Sequence, residues 1–281
     1  MENTQGFFIS VLAVSDITSI LLRTTLVILQ YANMTDKYSV LCKARSFIFG
    51  LPSGISSFLH VAIALDRYLR ICKNNSMFSK WRGRVIIVVM SVAFIGVLPK
   101  LFIADIVQKN SSDNHTSLVC KISDEDKIIY CLPVLVLCIG IAAVLVILYG
   151  RIISTLNAHF KRIENSLTTA EISGNLEIRD EQNEQKSELS QRNILVMKKT
   201  ISIFIAISVT FFLSYIPFLI TYMLRKSRDE ISFVISLLLY NISSMVNPFI
   251  YAFMDAKFRS ETKNLMTQTF LKCGFPEGTE L

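Results

Sequence analysis

Three groups of residues in this 281-residue chain have chemistry that an apolar sequence does not need for folding alone. The first is Asp66-Arg67-Tyr68, which closes a run without formal charge at 46–65. Cys42 lies 25 residues before Arg67. At about 1.5 Å per residue that is roughly 37 Å of helix, enough to cross a bilayer with a turn to spare. One helix then carries a cysteine near one membrane face and an acid–base pair at the other. Arg67 can snorkel, but Asp66 beside it gains little that way, so the pair reads as a switch element rather than an anchor. The second group is Asp16, inside the apolar stretch 6–32, with Arg23 seven residues on. That spacing puts both on one helix face. An ionisable side chain at mid-membrane depth is costly and by default functional, so both are expected to point into a helix bundle. The third is Asn247-Pro248-Phe249-Ile250-Tyr251, inside the apolar stretch 231–254.

None of these is a nucleophile–base arrangement, so an enzyme is not expected. The six cysteines (Cys42, Cys72, Cys120, Cys131, Cys138 and Cys273) form no CxxC motif and no Cys/His cluster, which argues against a structural metal site. Composition sets the class. The chain is 52% hydrophobic and 18% charged, with a mean hydropathy of +0.47, as in a multi-pass membrane protein. Its net charge of +7 does not call for nucleic acid, because membrane proteins concentrate basic residues in cytoplasmic loops.

Hydropathy places six spans, at about 6–32, 42–69, 85–104, 128–150, 200–224 and 231–254, in one transmembrane domain covering 1–281. The loop after the second span holds Arg70, Lys73, Lys80, Arg82 and Arg84 and no acid, which marks it as cytoplasmic. The polar loop 105–127 falls on the opposite side and carries Cys120 and the sequons at Asn110 and Asn114; the loop 33–41 carries another at Asn33. All three are expected glycan sites. Sequons at Asn74 and Asn241 fall in the cytoplasm and in a span and are expected to stay unused. The segment 157–192 has near-balanced charge and reads as a mobile cytoplasmic loop with helical extensions. The tail 255–270 is weakly amphipathic through Phe258, Leu265, Met266 and Phe270, and is expected to lie on membrane lipid as a surface helix. The N-terminal run lacks the basic start of a cleavable signal peptide.

The order of these motifs resembles the rhodopsin-like (class A) G-protein-coupled receptors, from the second helix of that fold onward. Leu12-Ala13-x-x-Asp16 matches its second helix, and Cys42, Ser56 and Asp66-Arg67-Tyr68 its third. Cys120 matches the second outer loop, Tyr149 the fifth helix, Phe211 and Pro217 the sixth, and Asn247-Pro248-x-x-Tyr251 the seventh. Each match is short; joint order and spacing give it specificity. The chain departs from the pattern in five places. The first helix has no counterpart. Trp81 lies before the usual fourth-helix position. Ile141 replaces the fifth-helix proline. Ser214 replaces a common cysteine, and Tyr215 the sixth-helix tryptophan.

The resemblance implies an all-α, seven-transmembrane receptor bundle with six spans present. It implies that binding of an extracellular ligand swings the sixth helix outward and admits a heterotrimeric G protein at the plasma membrane. Arg67 would contact the G protein and Asp66 would restrain it. Tyr149 and Tyr251 would replace the resting contacts of Arg67, Pro217 would make the sixth helix a lever, and Tyr215 would stand in for the toggle. For Tyr149 a place in the interfacial aromatic belt competes with this role. Cys42 and Cys120 would be bonded. Asp16, Ser56 and Asn247 would offer hard oxygen donors to a sodium ion, with a hydrated network as the equal alternative. Cys273 is either palmitoylated or an inert tail cysteine. Cys131 and Cys138 read as packing.

Phe49 stands where aminergic receptors of this family carry an aspartate, and Asn241 where opsins carry the retinal lysine, so neither an amine nor retinal is expected. Arg23 and Arg45 both fall in the outer half. With Phe49, Tyr215 and Asn241 they outline a pocket for a peptide or a small acidic molecule. The competing placement has Arg23 snorkelling outward or pairing with Asp124, Glu125 or Asp126. A truncated, non-signalling decoy is the alternative function. A six-span transporter ranks last, for want of repeats or a filter-like glycine run.

Overall fold

The computed structural model describes residues 2–31, 38–75, 77–110, 116–172, 180–224 and 230–254. Four helices, Ser39–Lys73, Gly83–Ile103, Glu125–Asn165 and Leu189–Leu224, are long and apolar enough to cross a membrane. They belong to a bundle of α1 (Glu2–Tyr31), α2 (Ser39–Lys73), α3 (Met77–Val97), the short α4 (Lys100–Ile103), α5 (Asp124–Ile172), α6 (Asp180–Leu224) and α7 (Glu230–Met254). A hairpin of β1 (Ala104–Asn110) and β2 (Thr116–Ile122) lies between α4 and α5. Below, "outer" denotes the Cys42 end of α2 and "inner" the Arg67 end.

The bundle is apolar outside and polar within, the pattern lipid selects. Val14, Ile87, Ile95, Ile129, Val136, Val146 and Leu213 are exposed, whereas Asp16, Arg23, Ser53, Ser56, His60, Asp66 and Asn247 are buried. With no water to serve them, buried hydroxyls turn to their own helices. Ser57 donates to the Ser53 carbonyl at 2.8 Å, Thr210 to that of Ala206 at 2.8 Å and Ser214 to that of Thr210 at 2.8 Å. Small residues let backbones approach: a Cβ on Gly54 of α2 would lie 3.3 Å from the Ala93 Cβ of α3.

Helix α2 is the central strut, packing against α1, α3, α4, α5 and both strands. It ends at Asn74, whose left-handed φ of 49° suits an asparagine C-cap and lets its N–H bond the Leu69 carbonyl. The expected third span is divided: α3 stops at Val97, Leu98 and Pro99 turn, and α4 restarts at Lys100. Proline lacks the N–H that would continue the ladder.

The polar loop 105–127 is more ordered than its composition suggests. Its strands pair antiparallel from Ala104↔Ile122 to Asn110↔Thr116, and the Cys42–Cys120 disulfide fastens β2 to the outer end of α2. The helical extensions expected at the two ends of 157–192 are long, covering 157–172 and 180–192. Helix α5 has 49 residues and α6 has 45, about 74 and 68 Å of helix, longer than any bilayer core. Glu, Gln, Lys and Ala, good helix formers, populate this stretch. The expected surface helix at 255–270, Cys273, Asn33 and Asn114 lie outside the described residues.

Candidate functional site

Three polar clusters lie in series along the inside of the bundle. The outermost is centred on Arg23 of α1, which is buried. One arm of its guanidinium donates to Asn241 Oδ1 at 3.1 Å and the other to the Tyr240 hydroxyl at 2.5 Å, both on α7. The guanidinium carbon lies 4.0 Å from the Tyr240 ring centroid and 5.8 Å from that of Phe49. Tyr240, fully buried, shares a further hydrogen bond with Ser53 of α2. Arginine, tyrosine, serine and asparagine thus join three helices without a carboxylate, and Arg23 makes no ion pair among the described residues. The placement that sent Arg23 outward is overturned by its burial, and Glu125 and Asp126 are not its ion-pair partners among the described residues.

An aromatic wall stands beside this cluster. Tyr215 of α6 stacks on Phe211 at 5.5 Å and lies 5.3 Å from Tyr240; Phe218 stacks on Tyr240 at 4.9 Å and lies 6.1 Å from Phe49. Arg45, one turn outward of Phe49 on α2, is partly buried.

The middle cluster is Asp16 and Asn247. The Asn247 amide donates to Asp16 Oδ2 at 2.5 Å, and Ser244 of α7 adds a hydroxyl beside the carboxylate. The Asn247 Oδ1 is buried with no hydrogen-bond partner. Ser56 is buried on α2, but the hydrogen bonds to Asp16 come from α7. The spacing repeats: Asp16 and Arg23 stand seven apart on α1, and their partners Asn247 and Tyr240 stand seven apart on the antiparallel α7.

The inner cluster surrounds Asp66, which is 1% exposed. Its Oδ1 accepts from Arg70 Nε at 2.9 Å, and its Oδ2 lies 3.5 Å from Arg67. Arg67 lies 5.6 Å from the ring centroid of Phe204 on α6, and Tyr149 of α5 is near enough to act on its charge. Tyr149 is 6% exposed, so it faces the interior and not an interfacial belt. Between the middle and inner clusters, His60 Nδ1 of α2 and Ser208 Oγ of α6 are 3.2 Å apart, and the His60 ring lies 5.0 Å from that of Phe211.

A family model described as "7 transmembrane receptor (rhodopsin family)" matches residues 1–251. The chain belongs to this receptor family. The receptor is 25% identical to the neuromedin U receptor homolog nmur-2 of Caenorhabditis elegans, over 92% of this chain and 70% of that protein. It is 27% identical to the human cholecystokinin receptor type A, over 79% of this chain and 63% of that protein. It therefore spans roughly two thirds of the length of these relatives. Its fold is similar to that of squid rhodopsin, with a TM-score of 0.64 at 16% identity, over 98% of this chain and 87% of that one.

In the receptor, the structure brings Arg23, Phe49 and Asn241 together, and Asp16 with Asn247. It joins Asp66 with Arg67, and Cys42 with Cys120. Tyr68 is partly buried against the core, and Pro217 is exposed on an α6 that runs unbroken through it. Pro248 and Tyr251 lie on α7, and Asn110 ends β1; the side chains of these three are outside the described set. Sequence reasoning missed Tyr240, Ser244, His60, Ser208 and Arg70. Tyr240 was within reach, since the seven-residue spacing from Asp16 to Arg23, laid against α7 from Asn247, arrives at it.

Proposed function

We propose that the receptor binds an extracellular peptide carrying an acidic group and passes the event to a heterotrimeric G protein at the plasma membrane. The observation that carries this reading is Arg23. A guanidinium buried in the outer half, held by neutral Tyr240 and Asn241, lacks a countercharge within ion-pair distance among the described residues. A buried cation without a partner acid is costly, and a ligand carboxylate would offset that cost. The relatives named as cholecystokinin and neuromedin U receptors favour a peptide over other acidic ligands.

Engagement of Arg23 would act on Tyr240 and through it on Ser53, so ligand, α7 and α2 would share one hydrogen-bonded unit. Tyr215, against Tyr240, would pass the change to α6. Arg67, released from Asp66 as α6 moves, would meet the G protein, with Tyr149 closing behind it. The residues of the middle cluster fit a sodium ion: an anionic carboxylate, an unpartnered buried amide oxygen and nearby serine hydroxyls are hard donors. Asp16, Asn247 and Ser244 would hold it and Ser56 would line it, where its charge would steady the resting bundle.

The test is a screen of free-acid and C-terminally amidated peptides on cells bearing the receptor, read as G-protein nucleotide exchange. Agonists that share an acidic group support the proposal; agonists with no acidic group refute it.

A further inference from the structure

Lys100 is not used by any of the three clusters. It opens α4 just after the Pro99 turn that ends α3. Its side chain folds back over α2, where a Cβ built on Gly50 would lie 2.8 Å from Nζ. A methyl group there would push the ammonium aside, a shift the flexible lysine chain can make. The ammonium lies 5.1 Å from the ring centroid of Tyr130 on α5, whose hydroxyl is held by the Gly96 carbonyl at 3.2 Å. A cation over an aromatic face recovers part of its lost hydration, not all of it. Among the described residues Lys100 makes no ion pair. Of the acids described nearby, Asp126 accepts from Ser123 at 2.7 Å and Glu125 is exposed.

Its position relative to Arg23 is set by α2. Arg23 lies against Phe49 and Lys100 against Gly50. Successive residues on a helix point about 100° apart, so the two cations approach the strut from different flanks. Arg23 stands on the α1 and α7 side, and Lys100 on the α4 and α5 side. Lys100 as a residue is partly exposed, while its ammonium is packed between Gly50 and the Tyr130 ring, so a ligand anion would meet a cation already stripped of most of its water.

We infer that Lys100 is a second anion-binding point in the outer half of the bundle, and that the ligand presents two acidic groups, one to each flank of α2. This rests on the reading of Arg23 as the first such point. The two groups are a C-terminal carboxylate and an acidic side chain, or two acidic side chains.

The test pans the full chain in lipid nanodiscs against a random octapeptide library, prepared once with free C-terminal carboxylates and once amidated. The unmodified receptor is expected to enrich peptides with two acidic groups over those with one. Lys100→Met is expected to lower that preference about tenfold, the usual worth of one charge-assisted hydrogen bond. Lys100→Arg should restore it. Gly50→Ala, which keeps the lysine but puts a methyl group 2.8 Å from its ammonium and so displaces it, should weaken the preference as well. Free-acid peptides needing one acidic side chain, while amidated ones need two, would identify the terminal carboxylate as one group. Selection of the same peptides by Lys100→Met and Gly50→Ala as by the unmodified receptor, with acid preference lost only in Arg23→Gln, would overturn the role of Lys100 and leave that of Arg23. An unmodified receptor without acid preference would overturn both.

Discussion

Arg23 donates a hydrogen bond to Asn241 across 3.1 Å, joining α1 to α7 deep in the outer half of the bundle. The same guanidinium binds Tyr240, which in turn holds Ser53 of α2. Three helices therefore meet at a cation with no carboxylate within ion-pair distance among the described residues. Seven residues inward on both helices, Asn247 holds Asp16. The α1–α7 seam is thus fastened at two depths.

The middle fastening should respond to sodium. In purified receptor, replacing choline chloride with sodium chloride is expected to raise the melting temperature. At ten times the dissociation constant the gain is about 1.4 kcal/mol. Asp16→Asn keeps the shape but removes the anionic donor, and should abolish the difference between the salts. An Asp16→Asn variant still stabilised by sodium to the full extent would contradict the assignment.

His60 and Ser208 hold α2 against α6 midway between the Asp16–Asn247 cluster and Arg67. If α6 moves away from α2 on activation, that bond breaks. A buried hydrogen bond contributes about 1 kcal/mol, so its loss should shift the resting balance about fivefold. His60→Leu and Ser208→Ala are each expected to raise basal nucleotide exchange by that factor. Unaltered basal exchange in both variants, at equal receptor number, would show the pair to be packing alone.

At the inner end Asp66 is shared, with Arg70 at 2.9 Å and Arg67 at 3.5 Å. Asp66→Asn frees both arginines and should raise basal exchange severalfold. Arg70→Ala removes a competitor for the carboxylate, leaving Asp66 to Arg67 alone, and should lower basal exchange. An increase with Arg70→Ala would mean that Arg70, rather than Asp66, restrains Arg67.

The Cys42–Cys120 bond closes a loop with a sequence separation of 78. The chain-entropy account assigns such a link roughly 4.5 kcal/mol. Cys120→Ser or mild reductant is expected to lower the melting temperature and loosen the hairpin, read as faster amide exchange over β1 and β2. Unchanged exchange there would indicate that strand pairing and the buried Ala104 and Ile122 suffice to fix it.

Sequence made the apolar architecture legible because lipid imposes one rule on every span. The pairing of Asp16 with Asn247 and of Cys42 with Cys120 was legible through a resemblance in motif order. What escaped was of two kinds. The hairpin 104–122 and the full length of the α5 and α6 extensions lie in polar sequence, and polarity alone does not separate a loop from a paired strand or say where a solvated helix stops. Tyr240, His60, Ser208 and Arg70 escaped because their roles arise between helices: each is an ordinary residue until a partner from another helix, or a buried carboxylate one turn away, faces it. The division of the third span turned on Pro99, whose presence was plain but whose consequence, the return of Lys100 over α2, needed three dimensions.

The central claim is that Arg23 receives an acidic group of the ligand. The most direct measurement is the concentration dependence of nucleotide exchange for a peptide selected on the unmodified receptor, compared with Arg23→Ala at matched surface number, and with the same peptide neutralised at its acidic group. The account predicts that Arg23→Ala raises the half-maximal concentration at least tenfold, and that neutralising the peptide costs the unmodified receptor a similar factor but the variant little more. An Arg23→Ala receptor that responds at the original concentration, or that still discriminates fully between the acidic and the neutralised peptide, would contradict it.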